Sequence, residues 1–184
     1  IDTPLAEAGI LGTAIGMALR GYRPVVEIQF DGFVYPAFDH IVSQVAKLRA
    51  RSLGHVAMPL VIRIPFGGGI GAVEHHSESP VASLAHTAGL RVVAPSNPVD
   101  AFHLVQQAIA SDDPVVFLEP KRRYWDKAEV DESAAPALPM QSARVARAGG
   151  DVTVVSYGPM VRTCLEAAAA AEADGTSIEV VDLR

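Results

Sequence analysis

Two hydrophobic rhythms alternate along the chain. Short apolar runs of strand length recur at Pro24–Phe30 (P-V-V-E-I-Q-F), Met58–Ile64 (M-P-L-V-I-R-I), Leu90–Ala94, Pro114–Leu118, Asp151–Tyr157 and Ser177–Leu183. Bounded by Gly, Pro and Asp, such runs predict strands. The second is almost continuously apolar, as a strand covered on both faces would be. Between them, apolar residues fall at helical spacing over Asp39–Arg51 (Ile41, Val42, Val45, Ala46, Leu48), Val81–Thr87, Asn97–Ala110 and Met160–Asp174. Lys47, Arg49 and Arg51 close the first of these helices, where the helix dipole favours positive charge. Arg144–Val145 adds a short strand.

Thr3–Gly21 (T-P-L-A-E-A-G-I-L-G-T-A-I-G-M-A-L-R-G) is the stretch the rest is organised around. Thr3 suits an N-cap and Pro4 the first helical position, where a missing N–H costs nothing. Large apolar residues surround small ones at Gly9, Gly12, Ala14, Gly16 and Ala18, so the helix is expected to show little surface to solvent. Its one carboxylate is Glu7, with no basic residue before Arg20. Such an acid is either turned to water, as first-turn acids commonly are, or kept partly dry for proton transfer.

Strands alternating with helices predict an α/β fold: a parallel sheet with helices on both faces and right-handed crossovers. Ligands of such sheets bind beyond the carboxyl ends of the strands. Between Glu119 and Gln141 the chain becomes charged, then rich in Ala and Pro, and reads as an exposed linker. The expected organisation is a first domain at 1–120, a linker at 121–143, and the opening of a second α/β domain at 144–184.

Composition narrows the classes. With 184 residues, 49% of them hydrophobic and 20% charged, the chain can bury a core and is not disordered. A net charge of −6 leaves no basic footprint for nucleic acid. A lone cysteine, Cys164, suits a reducing compartment, and no apolar run reaches membrane-spanning length. These features read as cytoplasmic and bacterial rather than mitochondrial. The abrupt start, almost on Glu7, suggests a fragment.

Candidate chemistry clusters in one loop, Pro65–Pro80 (P-F-G-G-G-I-G-A-V-E-H-H-S-E-S-P). Its glycines are not followed by the lysine of a P-loop, and no G-x-G-x-x-G follows the first strand, so a usual phosphate cradle is not expected. His75 and His76 match no zinc spacing. Either could sit in solvent, but one of them, delivered by a flexible loop at a strand's carboxyl end, is a candidate site residue. Phe30, Phe33, Tyr35 and Phe38 form an aromatic cluster, usually core, one member of which could stack on a heteroaromatic ring. Nothing like G-x-S-x-G surrounds Ser77, and Cys164 reads as packing.

Five blocks in series, D-T-P-L-A-E, E-I-Q-F-D-G-F-V-Y-P-A-F-D, R-I-P-F-G-G-G-I-G-A-V-E-H-H-S-E-S-P, G-L-R-V-V-A-P and D-P-V-V-F-L-E-P, resemble one known family. It is the β subunit of the E1 component of thiamine-diphosphate-dependent 2-oxo acid dehydrogenases, similar to the pyrimidine domain of transketolase. The resemblance implies that Glu7 hydrogen-bonds N1′ of the cofactor's aminopyrimidine and so promotes deprotonation of its reactive carbon. It implies that Phe33 stacks on the pyrimidine, that Leu5 and Gln29 line its pocket, and that His76 faces the 2-oxo acid and the incoming lipoyl group. His75 gains no role from it. It further implies that diphosphate and Mg²⁺ are held by an α subunit of an α₂β₂ assembly serving an E2 lipoyl acyltransferase. A potassium site of backbone carbonyls would map near Met58, Leu60, Val61, Ala108, Ser111 and Asp113. Y-P-A-F-D and H-H-S-E-S-P favour the branched-chain enzymes, that is, a lipoamide-dependent 3-methyl-2-oxobutanoate dehydrogenase. E-I-Q-F-x-G-F-V is shared with pyruvate and acetoin enzymes. A transketolase-like synthase and a non-catalytic scaffold are more distant alternatives.

Overall fold

The computed structural model describes residues Ile1–Arg184. Its first sheet has four parallel strands, β1 (Val25–Glu27), β2 (Val61–Phe66), β3 (Arg91–Val93) and β4 (Val115–Pro120), in the order β1-β2-β4-β3. The central pair β2 and β4 runs in register from Val61–Val115 to Phe66–Pro120. Both are buried on both faces, which is why their sequences run apolar without alternation. On one face, Leu11, Ala14 and Ala18 of α1 (Glu7–Leu19) join Val34, Ile41, Val45 and Leu84 in packing over Ile62, Ile64 and Leu118. On the other, Leu104 and Ala108 of α4 (Pro98–Ala110) cover Val61, Val93, Val115 and Phe117. Asn97 caps α4, its side chain accepting from the Asp100 N–H at 3.0 Å, with Pro98 at the first helical position.

Several elements depart from the sequence expectation. α1 begins at Glu7, not after Thr3: Ala6 is its cap residue, and no side chain caps it. The helix is also less enclosed than expected. Glu7, Leu11, Ala14 and Ala18 form the buried stripe, at spacings of three and four, while Gly9, Thr13, Gly16 and Leu19 are exposed. The helix expected over 39–51 is divided into a π-helical turn, His40–Val45, and a short α2 (Leu48–Arg51). The Ala46 N–H reaches back to Ile41 O at 2.9 Å, and the wider turn lets Ile41, Val45 and Ala46 all enter the core. β2 and β4 run two residues further than expected, through Pro65-Phe66 and Glu119-Pro120, while β1 keeps only three. The helix after the glycine loop is α3 (Val81–Ala85).

The stretch read as an exposed linker starts inside the fold. Lys121 is 5% exposed, and Met140 packs under α4. Tyr124, Trp125 and most of Lys127–Ala137 lie in solvent. A second sheet follows, built from β5 (Arg144–Arg147), β6 (Val152–Ser156) and β7 (Ile178–Asp182) in the order β5-β7-β6. α5 (Met160–Glu172) crosses between the parallel pair β6 and β7, while β5 lies antiparallel to β7.

The loop after β3 ties the two sheets together. The Ala94 N–H donates to Arg184 O at 2.9 Å, and Ser96 Oγ donates to Asp182 Oδ2 at 2.6 Å. Arg184 Nε donates to Asp100 Oδ1 at 3.1 Å, and Arg144 lies 3.2 Å from Asp182. No helix is long and apolar enough to cross a membrane.

Candidate functional site

The carboxyl ends of β1, β2 and β4 open onto one group of loops, the position where parallel sheets place ligands. After β1 the chain turns through Phe30 into a 3₁₀ helix, Asp31–Ala37. After β2 the glycine loop runs into a single 3₁₀ turn, Glu74–His76. After β4 a third such turn, Lys121–Arg123, closes the group.

His76 sits at the centre. Its ring stacks on Phe30, with centroids 4.1 Å apart and planes 21° from parallel, and meets the edge of Phe33 at 5.4 Å. Its Nδ1 lies 3.2 Å from His75 O, so a proton held there leaves Nε2 free. His75 instead points outward, with a half-exposed side chain 3.5 Å from Glu74. Gly32 packs directly on the His75 carbonyl, so the two 3₁₀ segments approach backbone to backbone.

Beneath this layer lies a buried ion pair. Lys121 Nζ is 2.8 Å from Asp31 Oδ1, with side chains 3% and 0% exposed. The same ammonium donates to His76 O at 2.6 Å and sits 5.6 Å from the centroid of Phe30. Asp31 Oδ2 has no partner. At the rim, Tyr35 donates to Glu78 Oε2 at 2.6 Å, and that bond, together with burial and the carboxylates of Glu78 and Asp31, raises the phenol's pKa. The Gly67 N–H donates to Glu78 O at 2.8 Å and so closes the glycine loop.

The structure brings some of the sequence candidates together. Phe33 and His76 are in contact. Glu7 is 8% exposed at the start of α1, the helix packed against the 3₁₀ segment that carries Phe33. No group of this chain hydrogen-bonds to its carboxylate or pairs with it. Leu5 is 74% exposed and Gln29 lies at the surface, so neither is packed into the protein's own core.

The residues mapped to a potassium site lie at the opposite, amino ends of β2 and β4. There Leu60 O accepts from the Val115 N–H at 3.0 Å, and Met58 O accepts from the Leu60 N–H at 2.8 Å. Ala108 O takes the Ser111 N–H at 3.2 Å, and Asp113 O takes Ser111 Oγ at 2.9 Å. Arg23 donates to Ser111 O at 2.9 Å and to Ile109 O at 3.2 Å, while Arg49 and Arg91 hold the Asp113 carboxylate. Ringed by three guanidinium groups, this end of the sheet does not fit a potassium ion.

Sequence reasoning passed over Asp31 and Lys121. D-G reads as a turn and K-R-R as a solvated run. The available signal was that each directly follows a strand on the sheet's carboxyl side.

Comparison with known proteins decides the family. Residues 1–126 match the transketolase pyrimidine-binding domain, and residues 141–184 match the transketolase C-terminal domain. The chain belongs to the transketolase pyrimidine-binding family. This pyrimidine-binding chain is 62% identical over all its residues to the pyruvate dehydrogenase E1 component subunit beta of Leifsonia xyli subsp. xyli, of which it covers 54%. It is 57% identical to the 3-methyl-2-oxobutanoate dehydrogenase subunit beta of Mycobacterium tuberculosis, of which it covers 53%. It therefore spans about half the length of the curated relatives it matches. Its fold matches a solved structure described as a split gene transketolase, inactive beta4 tetramer, with a TM-score of 0.74 at 24% identity, covering 96% of this chain and 54% of that one.

Proposed function

We propose that this pyrimidine-binding chain belongs to the β subunit of an E1 enzyme. With an α subunit, that enzyme decarboxylates a 2-oxo acid and passes the acyl group to the lipoyl group of an E2 acyltransferase. One observation carries the reading: Glu7 is withdrawn from water at the head of an otherwise apolar helix and has no partner in its own chain. A carboxylate set at the edge of the core with no donor from its own chain suits a ligand that supplies one. A ring nitrogen of an aminopyrimidine is such a ligand.

The residues therefore fit the pyrimidine end of thiamine diphosphate. When bound, that cofactor supplies the electron sink that decarboxylation of a 2-oxo acid needs. Glu7 would share a proton with N1′. Phe33 would provide the flat wall against the ring, and Leu5 and Gln29 the pocket's exposed lip. His76, held by Phe30 and Phe33, would orient or protonate the substrate through Nε2 and face the lipoyl group. The diphosphate and Mg²⁺ would fall to the α subunit. Here the only buried ammonium, on Lys121, already serves Asp31 and the His76 carbonyl.

A branched-chain 2-oxo acid is the proposed substrate, on the Y-P-A-F-D and H-H-S-E-S-P sequences. Pyruvate is the second reading, because relatives named for each substrate are 57% and 62% identical. Assaying the assembled full-length enzyme with 3-methyl-2-oxobutanoate against pyruvate separates the two; a higher kcat/KM for pyruvate overturns the first. The reading of Glu7 is tested by Glu7→Gln in the same assembly. Turnover is expected to fall by roughly 10²–10⁴-fold, the usual contribution of a general acid–base group, with subunit assembly intact. An unchanged rate would reduce the chain to a scaffold. Calorimetric titration should find weak thiamine diphosphate binding by the β chain alone, and tight binding would contradict the division of labour.

A further inference from the structure

Lys121 and Asp31 form a buried ion pair that is hard to justify as a stabilising element. Two charges taken out of water lose hydration that their mutual attraction repays only when every remaining donor and acceptor is met. Here Asp31 Oδ2 is buried without a partner, so the pair is not optimised for stability. What it does achieve is attachment. From one nitrogen, Lys121 links the end of β4, the first residue of the 3₁₀ helix Asp31–Ala37, and the carbonyl of His76 at 2.6 Å. The same ammonium stands 5.6 Å from the Phe30 ring, whose face at 4.1 Å sets the plane of the His76 imidazole.

The His76 carbonyl, and the Phe30 ring on which its imidazole stacks, thus both meet Lys121. The turn that carries it, Glu74–His76, is only three residues long and follows a glycine-rich loop. Such a segment has little of its own to fix it, and a displacement of about 1 Å in a reacting group can cost 10²-fold in rate.

We propose that Lys121, neutralised by Asp31, is a positioning residue for His76, clamping its carbonyl so that the imidazole is aimed into the site. The proposal rests on the reading of His76 as a group that meets the substrate.

A double-mutant cycle in the full-length, assembled enzyme tests it: Lys121→Met, His76→Ala, and the two combined. Lys121→Met is expected to lower kcat by about 10²-fold, to leave KM for the 2-oxo acid within a few-fold, and to cost nothing further in the His76→Ala background. A loss shared in this way belongs to one device. Losses that multiply, or a Lys121→Met enzyme with wild-type kcat, overturn the positioning role while leaving the reading of His76 intact. If His76→Ala itself keeps the wild-type kcat, that reading falls and the proposal with it. Should Lys121→Met fail to fold, Asp31→Asn replaces it: it keeps the shape of the pair and removes the neutralising charge. The expectation is then about a 10-fold loss in kcat, again absent in the His76→Ala background. The same multiplicative or null outcome refutes it.

Discussion

Gly32→Ala probes the point where the two 3₁₀ segments of the site touch. A β-carbon at this position would lie 3.1 Å from the His75 carbonyl carbon and 3.3 Å from His75 Cβ, and would overlap the His75 carbonyl oxygen outright. The obstacle is backbone, so no rotamer change relieves it. Either the 3₁₀ helix Asp31–Ala37 or the Glu74–His76 turn must retreat, by something on the order of 1 Å. Overpacking of this kind costs about 1–3 kcal/mol, which a domain with roughly 5–15 kcal/mol of stability survives. The catalytic loss should be larger in proportion, since a retreat of that size at His76 corresponds to about 10²-fold in rate. The matching control is Gly89→Ala. There the new β-carbon would overlap Ala46 O, at a φ of +103° that L-residues avoid, but on the loop entering β3 at the amino end of the sheet. Urea denaturation and steady-state kinetics on the assembled enzyme give both quantities. Both variants should lose stability, and only Gly32→Ala should lose kcat at a temperature where both are folded. The reasoning fails if Gly32→Ala keeps its kcat, or if Gly89→Ala loses as much.

Two further expectations concern stability and pH. Asn97→Ala removes the cap of α4 and should cost about 1 kcal/mol, read as a lower urea midpoint with an unchanged slope. Burial and the Glu119 carboxylate raise the Tyr124 pKa, as the Glu78 hydrogen bond raises that of Tyr35. Both phenols are therefore favoured in the neutral form by folding. Their contribution to stability is complete below the ordinary phenol value of about 10 and is lost as pH climbs above it. Ultraviolet titration should show phenolate still forming well above that pH, and Tyr124→Phe should shorten the tail; a single ordinary titration would refute the assignment.

Much of the first sheet was legible because its physics is local. Runs such as V-V-F-L and L-V-I-R-I, short, β-branched and flanked by proline, read as strands buried on both faces, and Asn97-Pro98 announces a helix start by cap and ring alone. The first helix was misplaced because Thr3-Pro4 offers an equally good local start. The difference is that Glu7, three residues on, heads the buried stripe through Leu11, Ala14 and Ala18. The candidate site was half legible. Glu7 stood out as the lone acid of an apolar helix, and an aromatic cluster and a histidine pair by residue type and loop position; the family resemblance singled out Phe33 and His76 among them. Lys121 and Asp31 did not stand out, because their meaning lies in being ninety residues apart in sequence and 2.8 Å apart in space. Composition counts a lysine beside two arginines as surface. Only tertiary structure turns it inward.

The seam between the two sheets has its own consequence. Ser96, Asp100, Arg144, Asp182 and Arg184 form a lock of directional bonds in which few apolar side chains take part. Greasy surfaces can slide past one another with little change in energy; a lock of this sort has one setting. The angle between the halves is therefore set where the loop after β3 and the head of α4 meet Arg144 and the end of β7, and a tilt at that junction would swing the C-terminal half as a lever.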